Sequence, residues 1–376
     1  MEFRTDCRHW RGDKPCRENR LCEGCPAYTP LGPRILLIKL GARGDVLRTT
    51  PLVTALKTRH PDAHLTWLTR PESVELLAGD PWIDRVLAFS TAGVVEILSR
   101  RFEAVYCLDK EPEATGLAVL AKAERKAGWG MAPDAAGTPA ALNPDAGYSL
   151  ALGVSDDLKF RRNRATYLEI VFAALGLDYQ GETYRYVPTE ADRESARRFF
   201  RGRRLRPVGP RGGRVLGLFT GCGPAYTRKR WTEAGFARLA ARAVKTLGAR
   251  VLLMCGPGEE AINARIRRRA KLPLWDTKGR HTLRELAGYL EACRVVVTGD
   301  TVALHLALAM KRRVVALFGP TCSQEIDMFG LGRKLAAPVP CAPCYRRTCE
   351  ISPTCMESLS VDEVWEAVRQ EWERAS

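Results

Sequence analysis

The sequence predicts an α/β protein with two Rossmann-like, doubly wound domains that face each other across a cleft. Apolar, strand-like runs alternate with amphipathic helical segments from Ile35 to Leu175, and a second alternation begins at Val215. This alternation is typical of βαβ units that share a parallel sheet. A length of 376 residues suits two domains better than one ordinary core.

We expect the chain to divide into five segments. They are a cysteine-rich extension (1–33), an N-terminal domain (34–187), an interdomain connection rich in Gly, Pro and Arg (188–213), a C-terminal domain (214–360) and an amphipathic C-terminal helix (361–376). The extension has too few apolar residues to fold alone, so a metal or docking onto the body must hold it.

Buried strands are expected wherever short apolar runs end in a turn. In the first domain they lie near 35–40, 64–69, 84–88, 103–108 and 124–129, and in the second near 215–220, 250–254, 294–298 and 313–318. The first helix is expected at 46–59. Residues 130–162 are rich in Pro, Gly, Ala and Asp, so we expect an irregular segment that lines the cleft.

The first strand leads directly into a candidate catalytic turn. The apolar run Ile35–Leu40 is followed by Gly-Ala-Arg-Gly-Asp and then by a helical pattern. Ligands of open α/β sheets bind beyond the carboxyl ends of the strands, which places Arg43 and Asp45 where chemistry usually occurs. Asp45 is either a general base or a helix cap. Arg43 and Arg48 either hold an acidic acceptor or are ordinary surface charges.

The same stretch carries a resemblance to a known family. Leu40–Leu56, LGARGDVLRTTPLVTAL, resembles the N-terminal signature of the family 9 glycosyltransferases, the ADP-heptose:lipopolysaccharide heptosyltransferases and their relatives. Three further matches follow in the family's order. The resemblance implies that Asp45 is the catalytic base. It also implies the GT-B fold, in which the C-terminal helix at 361–376 crosses back to the N-terminal domain.

Two of the later matches imply contacts to a nucleotide-sugar donor. Lys229, in Lys229-Arg-Trp231, would pair with the donor diphosphate and stabilise its charge as it leaves. Glu260 follows a strand and a glycine turn, and it would accept hydrogen bonds from the ribose hydroxyls. The structural alternatives are a surface lysine and a first-turn glutamate favoured by the helix dipole.

The last match, Val296–His305, resembles the family's Asp-Thr-Gly…His signature. A strand that leads into a helix N-terminus is a ready anion site, so the amides of Thr301 and Val302 would hold the diphosphate. The resemblance implies that Asp300 contacts donor hydroxyls and that His305 braces the loop or contacts phosphate. A buried structural histidine is the alternative for His305. The family usually has glycine at the position of Val302.

These motifs predict an inverting glycosyltransferase that needs no catalytic metal, because the sequence lacks an Asp-x-Asp element. The resemblance implies transfer of heptose from ADP-heptose to a lipopolysaccharide core or another cell-surface glycan. One alternative is a non-catalytic nucleotide-sugar-binding or metal-sensing protein of the same fold. Another is a sugar-nucleotide epimerase with a GT-B-like fold.

Thirteen cysteines are many for the cytoplasm, and eight of them fall into two groups. In a reducing compartment such groups indicate structural Zn or Fe rather than disulfides. Reduced or disulfide-linked cysteines and an iron–sulfur cluster are the alternatives, and His9 could replace one N-terminal ligand. The candidate ligands are Cys7, Cys16, Cys22 and Cys25 at the N-terminus and Cys341, Cys344, Cys349 and Cys355 near the C-terminus.

The charge balance predicts an acidic partner. Net charge is +16 and the pI is about 9.5, which suits a phosphorylated or acidic glycan or lipid acceptor and contact with the anionic inner membrane. No nucleic-acid-binding motif accompanies the basic residues, so we expect no nucleic acid partner. The first residues lack an apolar signal core, and we expect a cytoplasmic protein, peripheral at the inner membrane face.

Overall fold

The computed structural model describes residues 1–132, 134, 137–201, 213–224 and 226–375. The first half forms a six-stranded sheet in the spatial order β3-β2-β1-β4-β5-β6, parallel except for the last pair. The run Leu36–Ile38 is apolar throughout because helices cover both faces of the sheet. The strands are β1 (Arg34–Ile38), β2 (His64–Thr69), β3 (Arg85–Ala88), β4 (Arg101–Cys107), β5 (Lys122–Met131) and β6 (Pro139–Ala141).

The second half repeats this plan with a sheet of six parallel strands. Its spatial order is β12-β11-β10-β7-β8-β9. The strands are β7 (Val215–Phe219), β8 (Arg250–Met254), β9 (Trp275–Asp276), β10 (Val295–Gly299), β11 (Arg313–Phe318) and β12 (Gly332–Ala336).

Helices connect the strands in both halves. Those of the first half are α1 (Arg43–Thr49), α2 (Pro51–Arg59), α3 (Val74–Leu77), α4 (Thr91–Leu98), α5 (Pro112–Leu120), α6 (Gly147–Val154) and α7 (Tyr167–Ala174). A connecting helix, α8 (Glu190–Arg201), follows. Those of the second half are α9 (Glu233–Leu247), α10 (Glu260–Ala270), α11 (Leu283–Glu291), α12 (Val302–Ala309) and α13 (Val361–Arg374).

Four single turns complete the helical structure of the described residues. Three are 3₁₀ segments, at Pro71–Ser73, Pro144–Ala146 and Thr227–Lys229. The fourth is a π-helical turn at Leu158–Arg162.

Three clusters of buried apolar side chains hold the layers together. One contains only residues of the first half, such as Leu36 and Phe102. Another contains only residues of the second half, such as Leu216 and Trp365. The largest cluster draws on both halves, so it lies between the two sheets and joins the domains.

Strand order places one crevice in each domain. In the first sheet β1 lies between β2 and β4, and in the second sheet β7 lies between β8 and β10. The strands that follow in the chain therefore continue on opposite sides of this first strand. Such switch points open a ligand crevice beyond the carboxyl ends of the strands. The turn that leads into α1 and the loop that contains Asp109 lie at the first crevice, and the loops that contain Cys222 and Asp300 lie at the second.

The C-terminal helix corrects one prediction. The described part of the predicted segment 361–376, residues 361–375, does not cross back to the N-terminal domain, because the apolar face of α13 packs in the core of the second sheet. Glu371, on the same helix, is fully buried and pairs with Arg313 of β11. Both the apolar and the charged contacts of the helix therefore lie within the second half.

Two further expectations need adjustment. The predicted helix at 46–59 is split, because Pro51 begins a separate helix directly after Thr50. The segment 130–162, expected to be irregular, contains β6, α6 and a π-helical turn.

The cysteine-rich extension docks onto the first domain. All of residues 1–33 are described, and they contain turns, bends and one isolated bridge, between Cys7 and Pro30. Arg8 holds the extension in place, since its Nη2 donates to the Asp62 carbonyl at 2.7 Å and its Nη1 lies 3.5 Å from Asp84 Oδ1.

Candidate active site

A buried ion pair shapes the turn after β1. Lys39 donates to the Asp109 carboxylate, which also accepts from the amides of Leu40 and Gly41. Burial opposes the charge of Lys39, but Tyr167 and Asp109 raise its pKa above the usual value. Lys39 therefore remains a cation behind the turn.

Asp45 stands at the start of α1 with its carboxylate toward the cleft. Its side chain is 40% exposed, and Arg48 Nη1 lies 3.4 Å from its Oδ1. The cap position belongs to Ala42, whose N–H lies 3.4 Å from Asp45 Oδ2. Burial would raise the pKa of Asp45, but Lys39 and Arg48 lower it below the usual value. The group is thus ionised at neutral pH and can accept a proton.

Arg48 is committed to contacts within the protein. Its guanidinium lies 3.7 Å from the centre of the Tyr167 ring, and its Nη2 donates to the Glu325 carbonyl at 3.3 Å. It therefore orients Asp45 and links the two halves. Arg43, in contrast, is exposed.

The second domain contributes a triad of charged and polar groups. Lys229 Nζ lies 3.0 Å from Asp300 Oδ2, and His305 Nε2 lies 3.9 Å from Asp300 Oδ1. Burial would raise the pKa of Asp300, but Lys229 and His305 lower it. Burial and the Arg48 charge lower the pKa of His305 to about 4, so this ring is neutral at pH 7.

The two domains come together at Gly44. A Cβ atom on Gly44 would lie 2.9 Å from His305 Cδ2 and 3.6 Å from the Cα of Val302. Only glycine allows α1 to approach α12 this closely. This contact places Asp45 beside the group formed by Lys229, Asp300 and His305, and the electrostatic effect of His305 and Asp300 on Asp45 reflects that proximity.

Thr301 and Val302 lie at the start of α12, as predicted. Thr301 is the N-cap residue, and its hydroxyl lies 3.1 Å from the Thr298 hydroxyl. The first amides of a helix have no partner within it and carry the positive end of the dipole. Val302, the first residue of α12, is half-buried. This terminus suits an anion.

Of two adjacent glutamates, the sequence analysis singled out Glu260 and missed the buried Glu259. The Glu260 carboxylate accepts from the nearby Gly258 amide, at 3.2 Å. Glu259 accepts from the amides of Cys222, Gly223 and Gly256 at 3.0, 3.1 and 3.0 Å.

Glu259 also pairs with Arg230 at 3.1 Å. It therefore fixes the loops after β7 and β8. The amide of Cys222 takes part in this network, which gives that residue a structural contribution. Gly221 belongs to the same network, because a Cβ there would lie 1.9 Å from Glu259 Oε2.

Comparison with known proteins identifies the family. The model of glycosyltransferase family 9 (heptosyltransferase) matches residues 157–354, just over half of the chain. The chain belongs to glycosyltransferase family 9. It is therefore a glycosyltransferase, as the four motifs predicted.

Individual relatives agree with this assignment. The lipopolysaccharide heptosyltransferase 1 of Pseudomonas aeruginosa is 26% identical over 344 residues, which cover 85% of this chain and 88% of that protein. These matches give no support to a binding protein without activity or to an epimerase.

Two solved structures confirm the fold. A family 9 glycosyltransferase from Veillonella parvula superposes with a TM-score of 0.71 at 18% identity, covering 91% of this chain and 98% of that one. The ADP-heptose lipopolysaccharide heptosyltransferase II of E. coli gives 0.65 at 18% identity, covering 91% and 99%. The predicted GT-B fold of two Rossmann-like domains is thus confirmed.

The cysteine groups of this family 9 enzyme lie outside the catalytic cluster. All thirteen cysteines are free, so the disulfide alternative finds no support. Each predicted set of four lines a single cavity, the N-terminal set together with His9 and the C-terminal set together with Arg228. Within the described part of the chain, no three His, Cys, Asp or Glu side chains are arranged to hold a metal ion. The predicted metal sites remain predictions.

None of the helices in the described residues is both long enough and apolar enough to span a bilayer.

Proposed function

We propose that this enzyme transfers heptose from ADP-heptose to a hydroxyl of a lipopolysaccharide core or another cell-surface glycan. The N-terminal domain, 34–187, would bind the acceptor, and the C-terminal domain, 214–360, would bind the donor. One observation carries the proposal: the ionised Asp45 carboxylate stands beside the group formed by Lys229, Asp300 and His305, across the contact between α1 and α12. A general base and a pyrophosphate site are the two requirements of the reaction.

The first step is proton transfer to Asp45. The acceptor hydroxyl gives its proton to the carboxylate as its oxygen attacks the anomeric carbon of the donor. Arg48 and Lys39 keep the carboxylate ionised and oriented for this step. Attack from the face opposite the leaving group inverts the configuration at that carbon.

The leaving group requires stabilisation as the bond between the anomeric carbon and the phosphate oxygen breaks. The Lys229 ammonium and the amides of Thr301 and Val302 would receive the negative charge that develops on ADP. These groups supply positive charge without a divalent ion, which supports transfer that needs no metal. Asp300 holds Lys229 in place through its 3.0 Å contact, and Glu260 would bind the ribose.

Replacement of the base is the decisive test. We expect Asp45→Asn to lower kcat by about 10²–10⁴-fold, the usual contribution of general base catalysis. Binding of ADP-heptose, followed by calorimetry, should change little, because Asp45 belongs to the acceptor side. The assay is ADP release with a heptose-deficient lipopolysaccharide acceptor, with and without EDTA. An Asp45→Asn variant as active as wild type would overturn the proposal, and NMR of the product would test inversion.

We further propose that each cysteine group holds a structural Zn or Fe ion. Support comes from the chemistry of the donors, since four thiolates suit either metal, and from their placement around one cavity. Binding would require the thiols to draw closer together than they stand here. Elemental analysis should find two ions per chain, and one fewer in Cys341→Ser/Cys344→Ser. Metal-free protein of unchanged stability would contradict the proposal.

We also propose that the enzyme works in the cytoplasm at the inner face of the membrane, where a lipid-linked acceptor lies. The net charge of +16 supports attraction to that anionic surface.

A further inference from the structure

The cysteine loop, residues 341–355, lies against the proposed donor site. The amides of Cys344 and Tyr345 donate to the Pro320 carbonyl at 3.0 and 2.8 Å, and Pro320 follows shortly after the end of β11. Strand β11 pairs with β10, which leads directly to Asp300. The cysteine loop is therefore held beyond the carboxyl ends of these strands, where ligands of open α/β sheets bind.

A second contact joins the cysteine loop to the turn that contains Lys229. Arg228 Nη2 donates to the Cys349 carbonyl at 3.5 Å, and the Arg228 side chain lines the same cavity as the four thiols. Arg228 directly precedes Lys229 in the 3₁₀ turn Thr227–Lys229. The cysteine loop therefore bears on the position of the lysine that we assign to the donor diphosphate.

Tyr226 brings an arginine of the cysteine loop close to this lysine. The Cζ of Arg347 lies 5.6 Å from the centre of the Tyr226 ring, and Lys229 Nζ lies 5.3 Å from the same centre. An aromatic ring attracts cations within about 6 Å of its centre. Because the ring has no net charge, it orients both cations without neutralising either.

The charge of Arg347 is not balanced by a nearby acid. Lys229 pairs with Asp300, and the next residue, Arg230, pairs with Glu259. Among the residues that the structure describes, no carboxylate lies within 4.0 Å of the Arg347 guanidinium, which belongs to an exposed residue. A diphosphate brings more negative charge than Lys229 alone can balance, and a guanidinium can bind two phosphate oxygens at once. Arg347 therefore supplies the charge that Lys229 lacks.

We propose that Arg347 binds the donor diphosphate together with Lys229, with one phosphate group at each cation. The cysteine loop then contributes a ligand-binding residue to the donor site, and Tyr226 is a positioning residue that keeps Arg347 near Lys229. The inference rests on the proposed function for the identity of the donor. It gives the cysteine loop a part in substrate binding besides any structural role of its thiols.

Calorimetry tests the site without turnover. The probes are ADP and inorganic pyrophosphate, each titrated into the full-length protein. We expect Arg347→Met to raise the Kd of both ligands at least about tenfold, the loss of a charge-assisted contact. Arg347→Lys should recover part of the affinity, because the charge remains while the paired donors are lost. Since Arg347 is exposed, the Tm of each variant should match that of wild type.

Arg346→Met is the matched control. It removes the neighbouring exposed arginine of the same loop, and we expect the Kd of ADP to change by less than about twofold, because salt screens exposed charges that make no direct contact. No loss of ADP affinity in Arg347→Met, or an equal loss in Arg346→Met, would overturn the inference. So would a wild type that binds neither ADP nor pyrophosphate.

A pair of substitutions tests the role of the ring. Tyr226→Phe keeps the aromatic face and should bind ADP as wild type does, whereas Tyr226→Leu should raise the Kd in the same direction as Arg347→Met. Equal ADP binding by Tyr226→Leu and wild type would refute the positioning role of Tyr226.

Kinetics separate this inference from the proposed function. In the transfer assay, Arg347→Met should raise the donor KM at least about tenfold while the acceptor KM changes little. ADP binding that depends on Arg347, without transfer by wild type, would refute the proposed function alone. Transfer with the same donor KM in wild type and Arg347→Met would refute the assignment of Arg347 alone.

Discussion

At the scale of single residues, neighbouring titratable groups of the site differ in the direction of their pKa shifts because their surroundings differ. Partial burial would raise the pKa of both Asp45 and Asp300, yet cations beside them lower the pKa of each. His305 has the opposite balance, because burial and the Arg48 charge both disfavour protonation. The cluster therefore contains ionised carboxylates and a neutral imidazole at pH 7.

His305 should make stability depend on pH. Its pKa is about 4 in the folded protein and about 6.5 in the unfolded chain. Between these values the unfolded chain binds a proton that the folded protein does not, so stability falls as pH decreases. We expect the free energy of unfolding to fall by about 3 kcal/mol from pH 6.5 to pH 4 through this group.

Urea denaturation of wild type and His305→Gln measures this contribution. The variant should lack that part of the decline, while the difference between the two proteins should be constant above neutral pH. Parallel declines in both proteins at acid pH would show that His305 protonates in the folded state.

Residues that carry a motif could be predicted, whereas residues that act through spatial contact could not. Asp45, Lys229, Asp300 and His305 follow glycine turns or strand ends in the sequence, and the structure brings them together. Glu259 lies directly before Glu260, and Glu260 is the residue that matches the family motif. The local pattern does not distinguish it, because two of its partners, the amides of Cys222 and Gly223, come from a loop more than thirty residues away.

At the scale of elements, the contact between α1 and α12 joins the two halves of the site. Gly44→Ala would place a Cβ 2.9 Å from His305 Cδ2. Overpacking of this kind costs about 1–3 kcal/mol, and separation of the helices can relieve it. We therefore expect the loss of kcat/KM, expressed as a free energy, to exceed the loss in the free energy of unfolding.

Kinetics and thermal unfolding of Gly44→Ala test this expectation. Gly147→Ala is the control, because a Cβ at that helix start meets no atom within 4 Å. An active Gly44→Ala enzyme with an ordinary Tm would show that the helices need not approach this closely.

The last helix is fixed by Glu371. This carboxylate is fully buried and pairs with Arg313, with Arg333 at 3.2 Å and with Arg374 at 3.3 Å. Glu371→Gln leaves several arginine charges without a partner, and we expect a loss of about 2 kcal/mol or more in the free energy of unfolding.

Denaturant titration measures the effect of Glu371→Gln. Glu373→Gln, which removes a carboxylate with 60% exposure, should change stability by less than about 0.5 kcal/mol. Equal effects of the two substitutions would contradict a central role for the buried carboxylate.

Central strands were predictable because burial on both faces requires unbroken apolar runs, as in Val295–Gly299. Edge strand β12, with sequence Gly-Arg-Lys-Leu-Ala, has no such run and was missed. Helix α6 was missed because its apolar residues are flanked by glycine and only Leu152 is buried. The side on which α13 docks depends on its distant partners, which no local pattern contains.

At the scale of the whole molecule, the domains are tied by contacts on several sides of the cleft. The Tyr167 amide donates to the Glu325 carbonyl at 2.9 Å, and Arg284 donates to the Glu75 carbonyl at 2.7 Å. The shared apolar cluster adds to these bonds. These contacts hold the two halves together around the site.

The overall charge leads to an expectation about membranes. With a net charge of +16, the protein should co-sediment with vesicles that contain phosphatidylglycerol and not with vesicles of phosphatidylcholine alone. High salt should release the protein from the vesicles, because dissolved ions screen the attraction between exposed charges that lie more than about 10 Å apart. Equal binding to both vesicle types would show that charge does not direct the association.

The apolar cluster that both halves share limits where the protein can be divided into separate fragments. A fragment that stops at residue 187 would lack the side chains that the second half contributes to the shared apolar cluster, and part of that cluster would meet water. Such a fragment would precipitate or recruit chaperones when expressed alone. Recombination between relatives at this boundary would succeed only if both parents contribute matching surfaces, so the halves must evolve as a pair.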